Sequence, residues 1–335
     1  MPNAKRPAPP SKSNPAVHAI ASSWRRLTGG KAVRDADRRT LVACSGGADS
    51  SALVLALAHQ PASVTVAHVI HDMRPARESA ACLASARGLA EALGLPFVSA
   101  DVSAKPDGGN YEAAARAHRY AALDRLAGQH GCRFIATAHH AEDQLETILL
   151  RLLRGAGPKG FAAVRTRRKL PSGVVVVRPM LSLLREQAQS LCQECGWQWS
   201  EDATNADLSH RRSALRATVL PHLLAIDPQA PRKAVDAARL ALLTADHLDR
   251  AARTLEAAAA TGRPGEFERE KLRSADRIVL LTWLRELGPQ TPLRVLESIA
   301  RAVRSTRGEQ REWKLGARTL NIAKAQVKIT PRVNP

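Results

Sequence analysis

Aromatic residues are scarce in this chain of 335 residues, which contains only 4 Phe, 5 Trp and 2 Tyr. Proteins that hold single-stranded nucleic acid without sequence preference stack successive bases on aromatic side chains. So few rings cannot build a stacking surface of that kind. Any binding of nucleic acid is therefore expected to depend on contacts with backbone phosphates.

Cysteines and long apolar runs are also few. The 5 cysteines are scattered and odd in number, which gives no disulfide framework and favours a reducing compartment. No stretch approaches the roughly 20 apolar residues that cross a bilayer. The first residues lack the apolar segment of a secretory signal. We therefore expect a cytoplasmic protein without a membrane segment.

Acidic residues are outnumbered by basic ones. Lys and Arg total 50 against 31 Asp and Glu, a formal net charge of +19. So large an excess indicates a polyanionic partner, with nucleic acid as the first candidate. Basic side chains are concentrated in Arg165–Lys169 and in residues 301–335, and we expect both segments to contact phosphates.

The apolar pattern predicts an α/β domain followed by a smaller one. Residues 1–15, rich in Pro, Ser and Lys, predict a disordered basic arm. Within 16–225, short apolar strands alternate with helices, which is typical of a parallel sheet with helices on both faces. Residues 226–335 are mainly helical in pattern, with a possible hairpin at Trp313–Ile329. The predicted strands begin near Leu41, Val64, Pro96, Phe134 and Val174.

The segment Ser45-Gly46-Gly47-Ala48-Asp49-Ser50-Ser51 connects the first predicted strand to a helix. Backbone N–H groups and the positive end of a helix converge there, which predicts a phosphate site. It is not a Walker A loop, because the chain has no Gly-Lys-Ser/Thr. Asp49 beside phosphates indicates a divalent cation or a cationic substrate.

Two carboxylates follow the fourth predicted strand. Asp143 and Glu146 are three residues apart, so they share one face of a helix at the edge where open α/β sheets bind ligands. The pair is therefore expected to bind a cationic group. The alternative interpretation is that the two acids lie on a solvated helix face. The adjacent His139 and His140 favour zinc less, because neighbouring side chains at a strand end point apart.

Three further patterns do not by themselves establish a binding site. Arg116 and Arg119 share a helix face, where surface solubility and substrate binding are equally good explanations. The string Gly155–Gly160 matches a dinucleotide motif but follows a helix instead of a strand, so we reject it. Cys192 and Cys195 form a C-x-x-C pair that lacks two further metal ligands.

Six motifs follow one another along the chain: SGGADSS, HVIHDMR, ARAHRY, TAHHAEDQLETILLRLLRGAGPKG, RPML and SEDATN. In this order and spacing they resemble the motifs of the bacterial tRNA(Ile)-lysidine synthetases, which are PP-loop ATP pyrophosphatases. The similarity covers about Leu41 to Leu223. Only Arg212 and Arg216 carry over from the family's Arg-Asn-x-Ile-Arg pattern.

The resemblance implies an adenine nucleotide alpha-hydrolase-like fold and an ATP-dependent ligase. In that family ATP adenylates the C2 carbonyl of the wobble cytidine in the CAU anticodon of an isoleucine tRNA. The amine of L-lysine then displaces AMP. The implied cofactors are ATP and Mg²⁺, the partner is tRNA(Ile), residues 226–335 would contact the tRNA, and a homodimer is compatible with the sequence.

The resemblance also implies roles for individual residues. The loop would hold ATP phosphates, with Asp49 as the magnesium ligand. Asp49, Asp143, Arg116 and Arg119 would be catalytic. The residues implied to bind the ATP phosphates are Ser45, Gly46, Gly47, Asp49 and Ser50. Those implied to line the nucleotide site are His71 and Arg74. Those implied to contact the lysine and the adenylated cytosine are Arg116, Arg119, Asp143 and Glu146.

Two other functional classes are compatible with parts of the sequence. A sulfur-inserting enzyme similar to the 2-thiocytidine enzymes shares the loop and a tRNA substrate, and Cys192 and Cys195 favour it. A basic RNA-binding protein without catalysis would account for the charge. It would leave the Ser45–Ser51 loop unexplained.

Overall fold

The structure is a computed structural model that describes residues 7–71, 76–102, 111–200, 211–306 and 310–331. The chain divides into two compact units, Met1–Arg239 and Leu240–Pro335. This division falls later than the change of pattern at Ile226 that marks the second domain in the sequence. The limits of the functional domains stay a prediction.

The first unit is built on a six-stranded sheet with strand order β3-β2-β1-β4-β6-β5. Neighbouring strands from β3 to β6 are parallel, and β5 pairs antiparallel with β6 at the edge. The parallel sheet was predicted, whereas β5 was missed. The strands are β1 (Thr40–Ala43), β2 (Val64–His71), β3 (Phe97–Val102), β4 (Phe134–Ala136), β5 (Arg167–Lys169) and β6 (Val175–Val177).

Helices cover both faces of this sheet, as predicted. Val42 of β1 packs into a cluster with Leu53 and Leu89, whereas its neighbour Leu41 packs with Leu123 on the opposite face. Adjacent strand residues point to opposite faces, so each strand supplies both layers. The helices that begin in this unit are α1 (Pro15–Leu27), α2 (Ala48–Leu57), α3 (Ala76–Ala92), α4 (Tyr111–Gln129), α5 (Ala141–Leu152), α6 (Pro158–Phe161), α7 (Arg185–Glu194), α8 (Arg211–Ala214), a π-helical segment (Leu215–Val219), α9 (Leu220–Ile226) and α10 (Ala230–Ala259), of which α10 continues into the second unit.

The strand order determines where a ligand can bind. The chain runs outward from β1 through β2 to β3 and then returns to β4 on the other side of β1. The segments that follow β1 and β4 therefore leave neighbouring strands at the same carboxyl edge and diverge there. Open α/β sheets bind ligands in the crevice at such a reversal point.

The predicted disordered arm is corrected for residues 7–14. Ala8 N–H donates to the Cys195 carbonyl at 3.0 Å, and the Pro10 carbonyl lies 2.8 Å from His59 Nε2. Asn14 caps α1 by accepting from two backbone N–H groups. Proline restricts the backbone to extended conformations, so tying this segment down costs little entropy. Residues 1–6 lie outside the described part.

The second unit is mixed α/β, which corrects the expectation of a mainly helical domain. Its core includes Trp283, Leu296 and Val327, contributed by helices and strands alike. The predicted hairpin is confirmed and extends to a four-stranded antiparallel sheet of order β7-β10-β9-β8. The elements are β7 (Glu266–Glu268), α11 (Arg269–Ser274), α12 (Arg277–Leu287), α13 (Leu293–Arg304), β8 (Arg311–Leu315), β9 (Arg318–Ile322) and β10 (Gln326–Pro331).

Among the helices of the described residues, none combines the length and the apolar character that a transmembrane span requires.

Candidate active site

The loop between β1 and α2 has a backbone that only glycine tolerates at one position. Gly46 has φ +87°, and a Cβ added there would lie 2.7 Å from the Cys82 carbonyl oxygen. The Gly46 carbonyl accepts from Ser200 N–H at 2.9 Å and from Ser85 Oγ at 3.3 Å. Contacts from two other segments therefore hold the loop in position at the helix N-terminus.

Ser50 fixes the loop from inside. Its Oγ accepts from Ser45 N–H at 3.1 Å and donates to the Gly47 carbonyl at 3.0 Å. Gly47 itself is the N-cap of α2, so the free N–H groups of the first helical turn follow it directly. An anion at this point would meet the positive end of the helix, as the sequence predicted.

A cavity of about 360 Å³ opens between this loop, β2, α4 and the start of α5. Its lining brings together residues that are far apart in sequence. His71 lies at the carboxyl end of β2, opposite Val102 of β3, and Arg74 lies outside the described residues. The predicted site residues that line the cavity are Ser45, Asp49, Ser50, Arg116, Arg119 and Asp143.

His140 connects the two strand ends. Its backbone N–H donates to Asp143 Oδ2 at 3.0 Å, and its Nδ1 lies 2.9 Å from Glu142 Oε2. Its Nε2 is 3.6 Å from both Asp49 Oδ2 and Asp143 Oδ2. Burial alone would lower the pKa of His140, but the surrounding carboxylates raise it to about 10. The imidazolium therefore links Asp49 of the loop to Asp143 of α5.

His139 differs from its neighbour. Its Nδ1 is 3.0 Å from Thr137 Oγ1, and it lines the cavity. Burial and the nearby arginines lower the pKa of His139 to about 3. The adjacent histidines thus have separate partners, one neutral at the cavity wall and one charged beneath it.

The acid pair holds two cations of the chain itself. Arg212 Nε donates to Glu146 Oε2 at 2.6 Å, and its Nη2 donates to Asp143 Oδ1 at 2.7 Å. Arg216 Nε donates to Glu146 Oε1 at 2.7 Å. Burial would raise the pKa of Asp143, but His140 and Arg212 hold it well below its usual range.

The two acids are not equivalent. Glu146 is fully buried beneath the arginines and does not line the cavity, whereas Asp143 does. The prediction that the pair attracts a cation therefore agrees with the electrostatics, and its role toward a substrate stays a prediction. Only Asp143 can contact a ligand without movement of an arginine.

The C-x-x-C pair lies in the core of the first unit. Cys192 is completely buried and its Sγ donates to the Ala48 carbonyl at 3.4 Å. Burial raises the pKa of Cys192 to about 12 and also raises that of Cys195. Among the described residues, no group of three or more His, Cys, Asp or Glu side chains is placed to hold a metal ion, and both thiols pack in the core behind the loop.

Sequence reasoning missed three contributors to this site. His140 was considered only as a zinc ligand, and its position directly before a helix with an acid three residues later was the signal of a cap. Tyr120 and Arg178 belong to motifs that were recognised, but neither was assigned a role. Their contacts come from α4 and from the end of β6, which no local pattern brings together.

Comparison with known proteins agrees with this geometry. Residues 20–223 match the family model described as a PP-loop domain. A tRNA(Ile)-lysidine synthase from Nostoc sp. is 35% identical over 275 residues, covering 80% of this chain and 78% of that protein. One from Bordetella pertussis is 40% identical over 247 residues, covering 71% and 75%.

A solved structure shares the fold. The U34-tRNA thiolase NcsA from Methanococcus maripaludis, with its [4Fe-4S] cluster, superposes with a TM-score of 0.54 at 15% identity. The match covers 68% of this chain and 78% of that one. With the PP-loop, the reversal-point cavity and these sequence relatives considered together, the chain belongs to the tRNA(Ile)-lysidine synthase family.

Proposed function

We propose that this protein forms lysidine at the wobble cytidine of the isoleucine tRNA with a CAU anticodon, consuming ATP and L-lysine. The observation that carries the proposal is the shared cavity: the loop residues Ser45 and Asp49 and the acid Asp143 line it together. A phosphate cradle and a cation site within one small volume suit a reaction that joins a nucleotide to an amine.

The reaction has two balanced steps. The C2 carbonyl oxygen of the cytidine attacks the α-phosphorus of ATP, forming a P–O bond while pyrophosphate leaves. The lysine ε-amine, after losing a proton, then attacks C2, and the C–O bond to AMP breaks. In this proposal the loop around Ser45 and Ser50 holds the departing pyrophosphate, and Arg116 and Arg119 face the nucleotide from α4.

Asp49 fits a role as magnesium ligand. Its Oδ1 is buried and has no hydrogen-bond partner among the described residues, while its Oδ2 faces His140. Mg²⁺ in nucleotide sites commonly takes one or two carboxylates together with the phosphates. A bound Mg²⁺ would neutralise phosphate charge, and Asp49 is the side chain that would hold it.

The acid pair supports a cationic substrate close to the loop. Among the described residues, the network around the pair joins four carboxylates and three cationic groups. Asp143 is the acid of the pair that lines the cavity, so it is the one that can contact the lysine amine directly. The carboxylates are Asp49, Glu142, Asp143 and Glu146, and the cationic groups are His140, Arg212 and Arg216.

Nucleoside analysis of the CAU isoleucine tRNA tests the proposal. After incubation with ATP and L-lysine, we expect lysidine together with one AMP and one pyrophosphate for each tRNA modified. Asp49→Asn should abolish AMP release because it removes the charge beside the phosphates. Asp37→Asn, a change in an exposed 3₁₀ turn, is the control that should keep turnover. Absence of lysidine with the wild-type protein would refute the proposal.

The acid pair can be tested by the choice of substrate. Asp143→Asn should raise the lysine KM more than the ATP KM, since a hydrogen bond to a charged group contributes about 1.5–3 kcal/mol. Glu146→Gln should act on lysine indirectly, through the release of Arg212 and Arg216. Equal changes in both KM values for Asp143→Asn would contradict direct contact with lysine.

A further inference from the structure

Four guanidinium groups converge on one tyrosine ring beside the active-site cavity. Tyr120 is almost fully buried on α4. The Cζ atoms of Arg168, Arg116 and Arg119 lie 4.7, 5.2 and 6.0 Å from its ring centroid. Arg178 Nη2 donates to the Tyr120 hydroxyl at 3.4 Å. The sequence brings these arginines from three separate elements to one point.

Three of these four arginines have no ion-pair partner in the described part of the chain. Among the residues that the structure describes, no carboxylate forms an ion pair with Arg116, Arg168 or Arg178. Arg178 is 4% exposed, and its Nε is buried without a hydrogen-bond partner in the described chain. Burial and repulsion from Arg116 and Arg168 lower the pKa of Arg178. Like charges held this close destabilise the fold unless an anion binds them.

A groove of about 480 Å³ lies on the ring side of the cluster, and we call it the Tyr120 groove. Arg116 and Tyr120 line both the groove and the active-site cavity. A chain of nucleotides with one residue in the cavity would therefore continue into this groove. The groove is lined by Arg116, Tyr120, Asp124, Arg168, Leu170 and Pro171, with small residues of α4 between them.

The floor of the groove identifies the kind of anion. Ala113, Ala117 and Ala121 follow one another at four-residue spacing and form a flat apolar strip along α4. Inorganic phosphate or pyrophosphate would gain nothing from an apolar strip, whereas the sugar and base faces of a nucleotide would. Ser45 and Asp49 line only the active-site cavity, so the loop and the groove offer separate phosphate sites.

We propose that the Tyr120 groove binds the RNA phosphodiester next to the reacting cytidine, with Arg116 and Arg168 contacting the phosphate. Arg178 is a positioning residue that orients Tyr120 from behind. The proposal rests on the proposed function for the identity of the RNA. Its consequence is that a backbone clamp beside the cavity holds the cytidine where adenylation occurs.

Arg168 and Arg167 provide a matched pair of variants. They are neighbours on β5, both exposed, and their side chains point to opposite faces of the strand. Arg168→Gln should raise the Kd for a synthetic anticodon stem-loop by about tenfold or more. It should also lower the slope of log Kd against log salt by about 0.7, the value for one phosphate of a single strand. Arg167→Gln should change the Kd much less, and neither variant should change the ATP KM.

A chemically modified RNA locates the contact. Stem-loops with one neutral methylphosphonate, placed 5′ or 3′ of the wobble cytidine, remove one phosphate charge at a time. One of the two should bind the wild-type protein about tenfold more weakly. The same analogue should weaken binding to Arg168→Gln clearly less, because only Arg116 then remains to contact that phosphate. Equal weakening of both proteins by both analogues would overturn the proposal.

Other results would assign the cluster differently. Equal effects of Arg167→Gln and Arg168→Gln would make β5 a general basic surface and refute a specific groove. A changed ATP KM or pyrophosphate inhibition with unchanged stem-loop binding would assign the arginines to the triphosphate, which also refutes it.

The binding tests are separable from the proposed reaction. If lysidine forms normally and Arg168→Gln binds RNA like the wild type, the groove proposal fails and the reaction stands. If no lysidine forms but the methylphosphonate effect depends on Arg168, the groove stands and the reaction fails. Tyr120→Phe, which keeps the ring and removes the acceptor of Arg178, should give a smaller loss of stem-loop affinity than Arg168→Gln.

Discussion

Two buried arginines, Arg269 in the second unit and Arg178 in the first, differ in how their charges are satisfied. Arg269 is 5% exposed and donates to the carbonyls of Ala302, Val303, Ser305 and Ala323 at 2.6–3.1 Å. Every nitrogen of its guanidinium has a partner. Arg178 is equally buried, yet its Nε has no partner in the described chain.

The difference separates an arginine that stabilises the fold from one that, in our proposal, positions Tyr120 of the groove. Arg269 neutralises carbonyls at the carboxyl end of α13, where the helix dipole also favours a positive charge. Arg178 lies among other cations. Burial is the main cause that lowers its pKa, and repulsion from Arg116 and Arg168 lowers it further. Burial of an arginine is therefore uninformative alone, and the count of its acceptors decides between the two roles.

The largest expected effect is the loss of the satisfied arginine. Arg269→Met should destabilise the second unit by roughly 3 kcal/mol, because four carbonyls, that of buried Val303 among them, lose a charged donor and each such hydrogen bond contributes about 1.5–3 kcal/mol or less where the carbonyl stays partly exposed. Hydrogen exchange of the α13 amides in the full chain measures this. Arg263→Met, at an exposed arginine whose nearest contact with Glu266 is a long 3.9 Å, is the control that should change little.

Acid should weaken the pairing of Arg212 with Asp143. The pKa of Asp143 is held below its usual range in the folded state, so its ionised form stabilises the fold above about pH 4 and this stabilisation is lost as pH falls below that. We expect a loss of about 1.5–3 kcal/mol in the protection of α5 amides on acidification. Asp143→Asn should be less stable at neutral pH and lose less in acid. Parallel pH curves for the two proteins would contradict this account.

The smallest expected effect concerns Arg178. Arg178→Met should cost about 1 kcal/mol of stability, because the lost hydrogen bonds are offset by relief of repulsion with Arg116 and Arg168. Protection of β6 amides in hydrogen exchange measures it. A loss as large as that of Arg269→Met would show that the two arginines are equally structural and would remove the distinction.

The sequence was sufficient for the parts of the fold that depend on local pattern. The strand, glycine loop and helix around Gly46 were predicted because the apolar run, the turn residues and the helical period are contiguous. The carboxyl-edge position of Asp143 followed from the same pattern. β5 was missed since its residues Arg167–Lys169 are all exposed and basic, and only pairing with β6 makes them a strand.

The parts of the site that could not be predicted depend on long-range contacts. Arg212 meets Glu146 across 66 positions, and Arg178 meets Tyr120 across 58. Sequence periodicity carries no information on contacts between residues so far apart. The arginines could therefore be noticed in the sequence, but their partners could not be identified. The second unit's sheet was underestimated for the same reason, because β7 joins β10 from more than 50 residues earlier.

The position of β5 has a consequence for the solubility of the protein. As the antiparallel edge strand it presents backbone N–H and C=O groups along one side, where a strand from another chain could add. The run Arg167-Arg168-Lys169 covers this edge with positive charge, and repulsion between two such edges opposes self-association. The positive charge of β5 thus serves both the proposed RNA contact and the prevention of self-association. Neutral substitutions there should be checked for aggregation at high protein concentration before any loss of binding is interpreted.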